Sequence, residues 1–157
     1  MQLHEYSFRM AQPVWETGTA HTMNRTVSFC TDIPLSDLPA GQQIRLAAAA
    51  SCSFVLLVNG QFVAHGPARC AHGFFRVDEY DLTPYLTAQV NRVCLRTAGY
   101  NVNSFSYLNQ PSFLCAEITA GEQVLAATGA GNARDFIAYG VGERIRRVQR
   151  YSFPRPP

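Results

Sequence analysis

Ser53-Phe54-Val55-Leu56-Leu57-Val58, then Asn59-Gly60, then Gln61-Phe62-Val63-Ala64-His65 is the stretch that decides the fold. Two apolar runs flank an Asn-Gly pair, and a tight hairpin turn of type I′ needs positive φ at both of its central residues. Asn and Gly are the residues that tolerate this. The first arm carries apolar side chains on both faces, which predicts a central strand covered on both sides.

Working outward, Phe113-Leu114-Cys115-Ala116-Glu117-Ile118 and Gln123-Val124-Leu125-Ala126 read as a second hairpin, turning near Ala120-Gly121-Glu122. Between the hairpins, Asn91-Arg92-Val93-Cys94-Leu95-Arg96-Thr97 alternates with period two, placing Val93 and Leu95 inward and Arg92 and Arg96 outward. Arg25 to Thr31, Gln43 to Ala49 and Ile145 to Phe153 supply further strands. One helical turn is expected at Asp81-Leu82-Thr83-Pro84-Tyr85-Leu86, with Thr83 as N-cap and Pro84 at the first helical position. Many short strands without helical alternation predict an all-β chain, an antiparallel β-sandwich or jelly roll. Residues 1–153 form one domain in this reading, and the Pro-rich 154–157 begin a linker towards further domains.

Bulk properties narrow the function. With 157 residues the chain can bury one substantial core, and 47% hydrophobic with 15% charged residues suits a folded protein. A net charge of +2 gives no electrostatic reason for a nucleic-acid or membrane partner. The one basic run, Glu143 to Arg150, reads as a strand with solvated or inter-domain Arg side chains. Cys30, Cys52, Cys70, Cys94 and Cys115 lie about twenty residues apart with no Cys-x-x-Cys pair, which fits neither a zinc site nor a secreted disulfide framework. They read as reduced, small apolar residues in a reducing compartment, and the start of the chain shows no signal peptide; the expected location is cytoplasmic.

Three groups bear on chemistry. Asp78, Glu79 and Asp81 are the densest acidic group, but glycoside hydrolysis needs two carboxylates flanking a sugar. Here Asp81 is expected to start the following turn and the others to be solvated. The loop Ala64-His65-Gly66-Pro67-Ala68-Arg69-Cys70-Ala71-His72-Gly73 gathers His65, Arg69 and His72 without a third metal ligand, so no metal is expected. Tyr100-Asn101-Val102-Asn103-Ser104-Phe105-Ser106-Tyr107 combines planar amides with aromatic rings, the vocabulary of sugar recognition. The plainer alternative is a loop whose aromatics fold back on the core.

Phe54-Val55-Leu56-Leu57-Val58-Asn59-Gly60, then His65-Gly66-Pro67-Ala68-Arg69, then Tyr80-Asp81-Leu82-Thr83-Pro84-Tyr85-Leu86 resembles the N-terminal β-sandwich of bacterial α-L-rhamnosidases, glycoside hydrolase family 78. The Asn-Gly hairpin and the Asp-Leu-Thr element also occur in galactose-binding-like sandwiches. One departure is Gln89-Val90 before Asn91, where the family usually has Gly. The resemblance implies a galactose-binding-domain-like fold and a non-catalytic accessory role, assisting a catalytic (α/α)6 barrel that this chain does not contain. No catalytic carboxylate carries over. Some related modules bind rhamnose through calcium, but no such site matches here residue by residue, so no cofactor is expected.

The sugar-contacting residues expected on this basis are Arg69, His72, Asn101 and Asn103, with Tyr100 or Tyr107 as stacking platform. The expected partners are downstream domains of the same polypeptide and rhamnose-containing glycans. A free-standing carbohydrate-binding module and a structural, protein-binding sandwich are the alternatives.

Overall fold

The computed structural model describes residues 5–71, 73–103, 107–131 and 134–142. Among them are nine strands: β1 (Arg25–Pro34), β2 (Ile44–Ala50), β3 (Ser53–Val58), β4 (Gln61–Gly66), β5 (Asp78–Asp81), β6 (Val90–Gly99), β7 (Leu114–Ala120), β8 (Gln123–Ala127) and β9 (Ile137–Val141). They form two antiparallel sheets, ordered β4-β3-β6-β1-β9 and β5-β2-β7-β8. The chain is an all-β sandwich. β9 has no counterpart in the sequence reading, and the strand expected at Ile145 to Phe153 lies outside the described residues.

Period-two alternation builds the core. Val27, Phe29 and Ile33 of β1, Phe54, Leu56 and Val58 of β3, and Val93 and Leu95 of β6 point from one sheet. Leu46 and Ala48 of β2, Leu114, Ala116 and Ile118 of β7, and Leu125 of β8 meet them from the other. Burying each large aliphatic or aromatic side chain contributes about 1.5–3 kcal/mol relative to exposure.

The Asn59-Gly60 turn has positive φ at both residues, 52° and 80°, as the hairpin requires. Asn59 does more than turn the chain. Its amide donates to Asn91 Oδ1 and to the Tyr85 carbonyl, and its Oδ1 accepts from the Arg92 amide. Asn91 is fully buried and also bonds both the N–H and the carbonyl of Ala88. This side-chain network ties the Gln89-Val90 connection to the hairpin.

Four expectations need correction. β3 lies between β4 and β6, but on the outer face of its sheet Val55 and Leu57 are only half-buried. Thr83 does not cap the 3-10 turn Thr83–Tyr85; Leu82 holds the N-cap position and Thr83 Oγ1 accepts from the Ile44 amide. Asp78 is not solvated, for reasons given below. Cys30 and Cys94 are not reduced thiols but a disulfide. They are directly paired in the β1–β6 register, a proximity that a separation of 64 residues hides. Cys52, Cys70 and Cys115 are free.

The contrast between neighbours on β6 is testable. Asn91→Ala should lower unfolding stability by about 2–3 kcal/mol, because it empties a fully buried position and removes the partner of the Ala88 N–H and carbonyl and of the Asn59 side-chain amide. Arg92→Ala removes only an exposed ion pair with Asp32 and should cost about 1 kcal/mol or less. Urea-unfolding midpoints of the two variants distinguish these outcomes.

Candidate functional site

Three connections converge at one end of the sandwich: the β2–β3 turn, the β4–β5 loop and the β6–β7 loop. The pairings Ala50↔Leu114, Ser53↔Ala98, Phe54↔Gly66 and Ala48↔Asp78 put the corresponding strand ends side by side. Between the loops lies a cavity of about 690 Å3. Its floor is Ala50 to Ser53, one wall is Pro67 to Ala71 with Gly73 to Arg76, and the other is Tyr107, Leu108 and Gln110.

The β4–β5 wall is held by one carboxylate. Asp78 Oδ2 accepts from the Ala68 amide at 3.0 Å and from the Tyr80 hydroxyl at 3.4 Å, and Oδ1 accepts from Arg76 Nε at 2.6 Å. An aspartate at the first position of β5 thereby sets the shape of the loop that precedes it. The chain enters this loop through Gly66, where a Cβ would stand 2.5 Å from Tyr80 Oη, 2.8 Å from Asp78 Oδ2 and 2.9 Å from Phe54 Cζ. Only glycine fits. Further on, Gly73, at φ 86°, takes the turn in which the Phe74 amide donates to the Ala71 carbonyl. The rings of Phe74 and Phe75 are then exposed, with Phe75 set edge-on to Phe113 at 4.7 Å.

The other wall rests on an aromatic pair. Tyr100 is 3% exposed and meets Tyr107 edge-on at 4.6 Å, and the Arg69 guanidinium lies 6.0 Å from the Tyr107 ring centroid. Burial pushes the Tyr100 phenol up to about 12 and raises that of Tyr107. Both are neutral hydroxyls at physiological pH. Gln110 reaches across to donate to the Ser51 carbonyl.

The structure therefore unites Arg69 with Tyr107 and Tyr100, 38 and 31 positions apart in the chain. It places the two asparagines differently. Asn101, at φ 45°, is buried, and its amide lies 2.8–3.0 Å from the Ser112 hydroxyl and the Ala20 and Thr22 carbonyls. It ties the N-terminal segment to the β6–β7 loop from behind the cavity. Asn103 Oδ1 accepts from the Asn109 amide, closing its own loop. His72 lies outside the described residues. Sequence reasoning missed Phe74, Phe75 and Gln110. The Phe74-Phe75 pair next to the Gly-rich loop was the available signal, since two large rings in a turn-rich segment cannot both reach a core.

Chemically, the described lining of the cavity sets aromatic rings, an amide and basic side chains around one carboxylate. Asp78 is the one carboxylate among the described residues lining it, and all of its contacts are structural. Burial raises the Cys52 thiol, which keeps it protonated and unreactive. A second depression, about 860 Å3, lies on the outer face of the four-stranded sheet beside Arg45, Glu79 and Thr119. Tyr6 is the one aromatic residue among the described residues lining it.

Two outcomes follow from this geometry. Gly66→Ala should cost about 1–3 kcal/mol in chemical denaturation, since Tyr80 and Asp78 must both move to admit a methyl group. The Tyr80 and Tyr100 phenols are both pushed up to about 12 by burial. Raised folded-state pKa values give stability that is complete below about pH 10 and lost as pH rises from 10 towards 12. The urea midpoint should fall between pH 8 and pH 11, and fall less in the Tyr80→Phe/Tyr100→Phe variant.

Neither a family model nor a curated protein matches the chain. Among solved structures, a GH78 family rhamnosidase from Bacillus sp. GL1 superposes with a TM-score of 0.75 at 26% identity. The match covers 88% of this chain and 14% of that one. The chain thus corresponds to about one seventh of that enzyme, and it is related to a domain of GH78 rhamnosidases.

Proposed function

We propose that this sandwich is a non-catalytic, carbohydrate-binding accessory domain of an α-L-rhamnosidase-like glycoside hydrolase, corresponding to the N-terminal β-sandwich of such enzymes. Its partners in this reading are rhamnose-containing glycans and downstream domains of the same polypeptide, including a catalytic (α/α)6 barrel. The observation that carries the reading is the loop-end cavity, where Arg69, Tyr107, Phe74 and Gln110 surround a space of sugar size. Aromatic faces suit the apolar side of a pyranose, and the guanidinium and amide suit its hydroxyls. The relation to a domain that makes up 14% of a rhamnosidase chain supports the same assignment.

One feature favours docking as a second role. Phe62, Leu57, Cys94, Cys30 and Ile137 are consecutive register partners across the outer face of the five-stranded sheet. Phe62 and Ile137 are 64% and 60% exposed. A row of this kind suits coverage by a neighbouring domain.

Affinity electrophoresis of the 157-residue chain through gels containing rhamnose-bearing polysaccharides tests the main reading. The expected result is retardation that Tyr107→Ala reduces at least about threefold, in line with loss of about 1 kcal/mol of ring contact. Unretarded migration on every glycan, or hydrolysis of an aryl rhamnoside by this chain alone, would defeat it.

A further inference from the structure

The described lining of the cavity carries more basic than acidic side chains. Arg69, Arg76 and His65 line it, against the single carboxylate of Asp78. That carboxylate is spent: Arg76 Nε, the Ala68 amide and the Tyr80 hydroxyl occupy it, and Arg76 balances its charge. Arg69 has no such partner. Its neighbour is Tyr107, through the ring and a hydrogen bond with the phenol, and among the described residues no carboxylate pairs with it. Among the described residues, one positive charge therefore stands at the cavity wall without a carboxylate partner.

Each hydroxyl of a neutral sugar is both donor and acceptor and is best met by carboxylates and amides that can accept its proton. A carboxylate is acceptor-only and is the complement of a donor-rich site. The guanidinium fork matches it with two parallel hydrogen bonds, a geometry that an ammonium group cannot reproduce. Phe74 supplies a ring more than half exposed on the same wall, free of any aromatic partner among the described contacts.

From this charge balance we infer that the cavity selects an acidic saccharide: a uronic acid residue whose carboxylate sits on Arg69 while its ring packs against Phe74. The inference rests on the carbohydrate-binding reading above and sharpens it to a sugar class.

Calorimetric titration of the 157-residue chain with methyl α-D-galacturonoside, the methyl ester of the same sugar, and L-rhamnose provides the test. The acid should bind at least about tenfold more tightly than its ester, the factor that one charge-assisted hydrogen-bond pair supplies. That advantage should shrink with added salt, because the site is open to solvent. Arg69→Ala should erase the preference, so that acid and ester bind within about twofold of one another, Arg69→Lys should restore it only in part, and Phe74→Ala should weaken acid and ester alike. Arg69 and Phe74 are exposed, so all three variants should keep the wild-type circular-dichroism spectrum. Equal or tighter binding of the ester or of rhamnose would overturn the acidic selectivity while leaving a sugar site in place. Absence of heat with all three ligands would remove the sugar site and the selectivity together.

Discussion

The contact between Phe54 and Tyr80 is the point on which both the sandwich and its cavity depend. Phe54 belongs to the five-stranded sheet and Tyr80 to the four-stranded one, and their rings meet edge-on with centroids 6.1 Å apart. Interiors pack at crystal-like density, so this pair sets the local spacing of the two layers. From the same pair the order passes outward. Gly66 lets β4 pass beside both rings, the Tyr80 hydroxyl reaches Asp78, and Asp78 holds Ala68 and Arg76. The cavity wall is thus shaped by a core contact through one carboxylate.

The same economy appears on the opposite face of the molecule. Glu117 lies on the outer side of β7, yet it is 2% exposed. Its Oε2 accepts from the backbone amides of Met10 and Ala11, which fastens the N-terminal segment against Cys115 and Ala127. Thr128 completes the attachment, with its hydroxyl donating to the Gln12 carbonyl and accepting from the Ala116 amide. An unpaired buried carboxylate would be costly, so the segment and the strand need one another. In both places an acidic side chain satisfies backbone donors.

The one carboxylate among the described cavity residues is committed to structure in this way. Glycoside hydrolysis needs a proton donor and a second carboxylate across a bound sugar. The described lining of the cavity presents aromatic rings, an amide, guanidinium groups and the His65 imidazole around a single carboxylate.

The sequence by itself determined the sheets. The alternation in Asn91 to Thr97, the Asn59-Gly60 turn and the apolar runs around them are local signals, because side-chain direction in a strand repeats every two residues. Arg69, Tyr100 and Tyr107 were likewise legible as candidates, since residue type announces what each can contact. Only the tertiary structure decided which of them meet. It brought Arg69 onto Tyr107, sent Asn101 behind the cavity, turned Asp78 inward and joined Cys30 to Cys94. These outcomes depend on strand order and register between segments dozens of residues apart, and such pairings leave no trace in local periodicity.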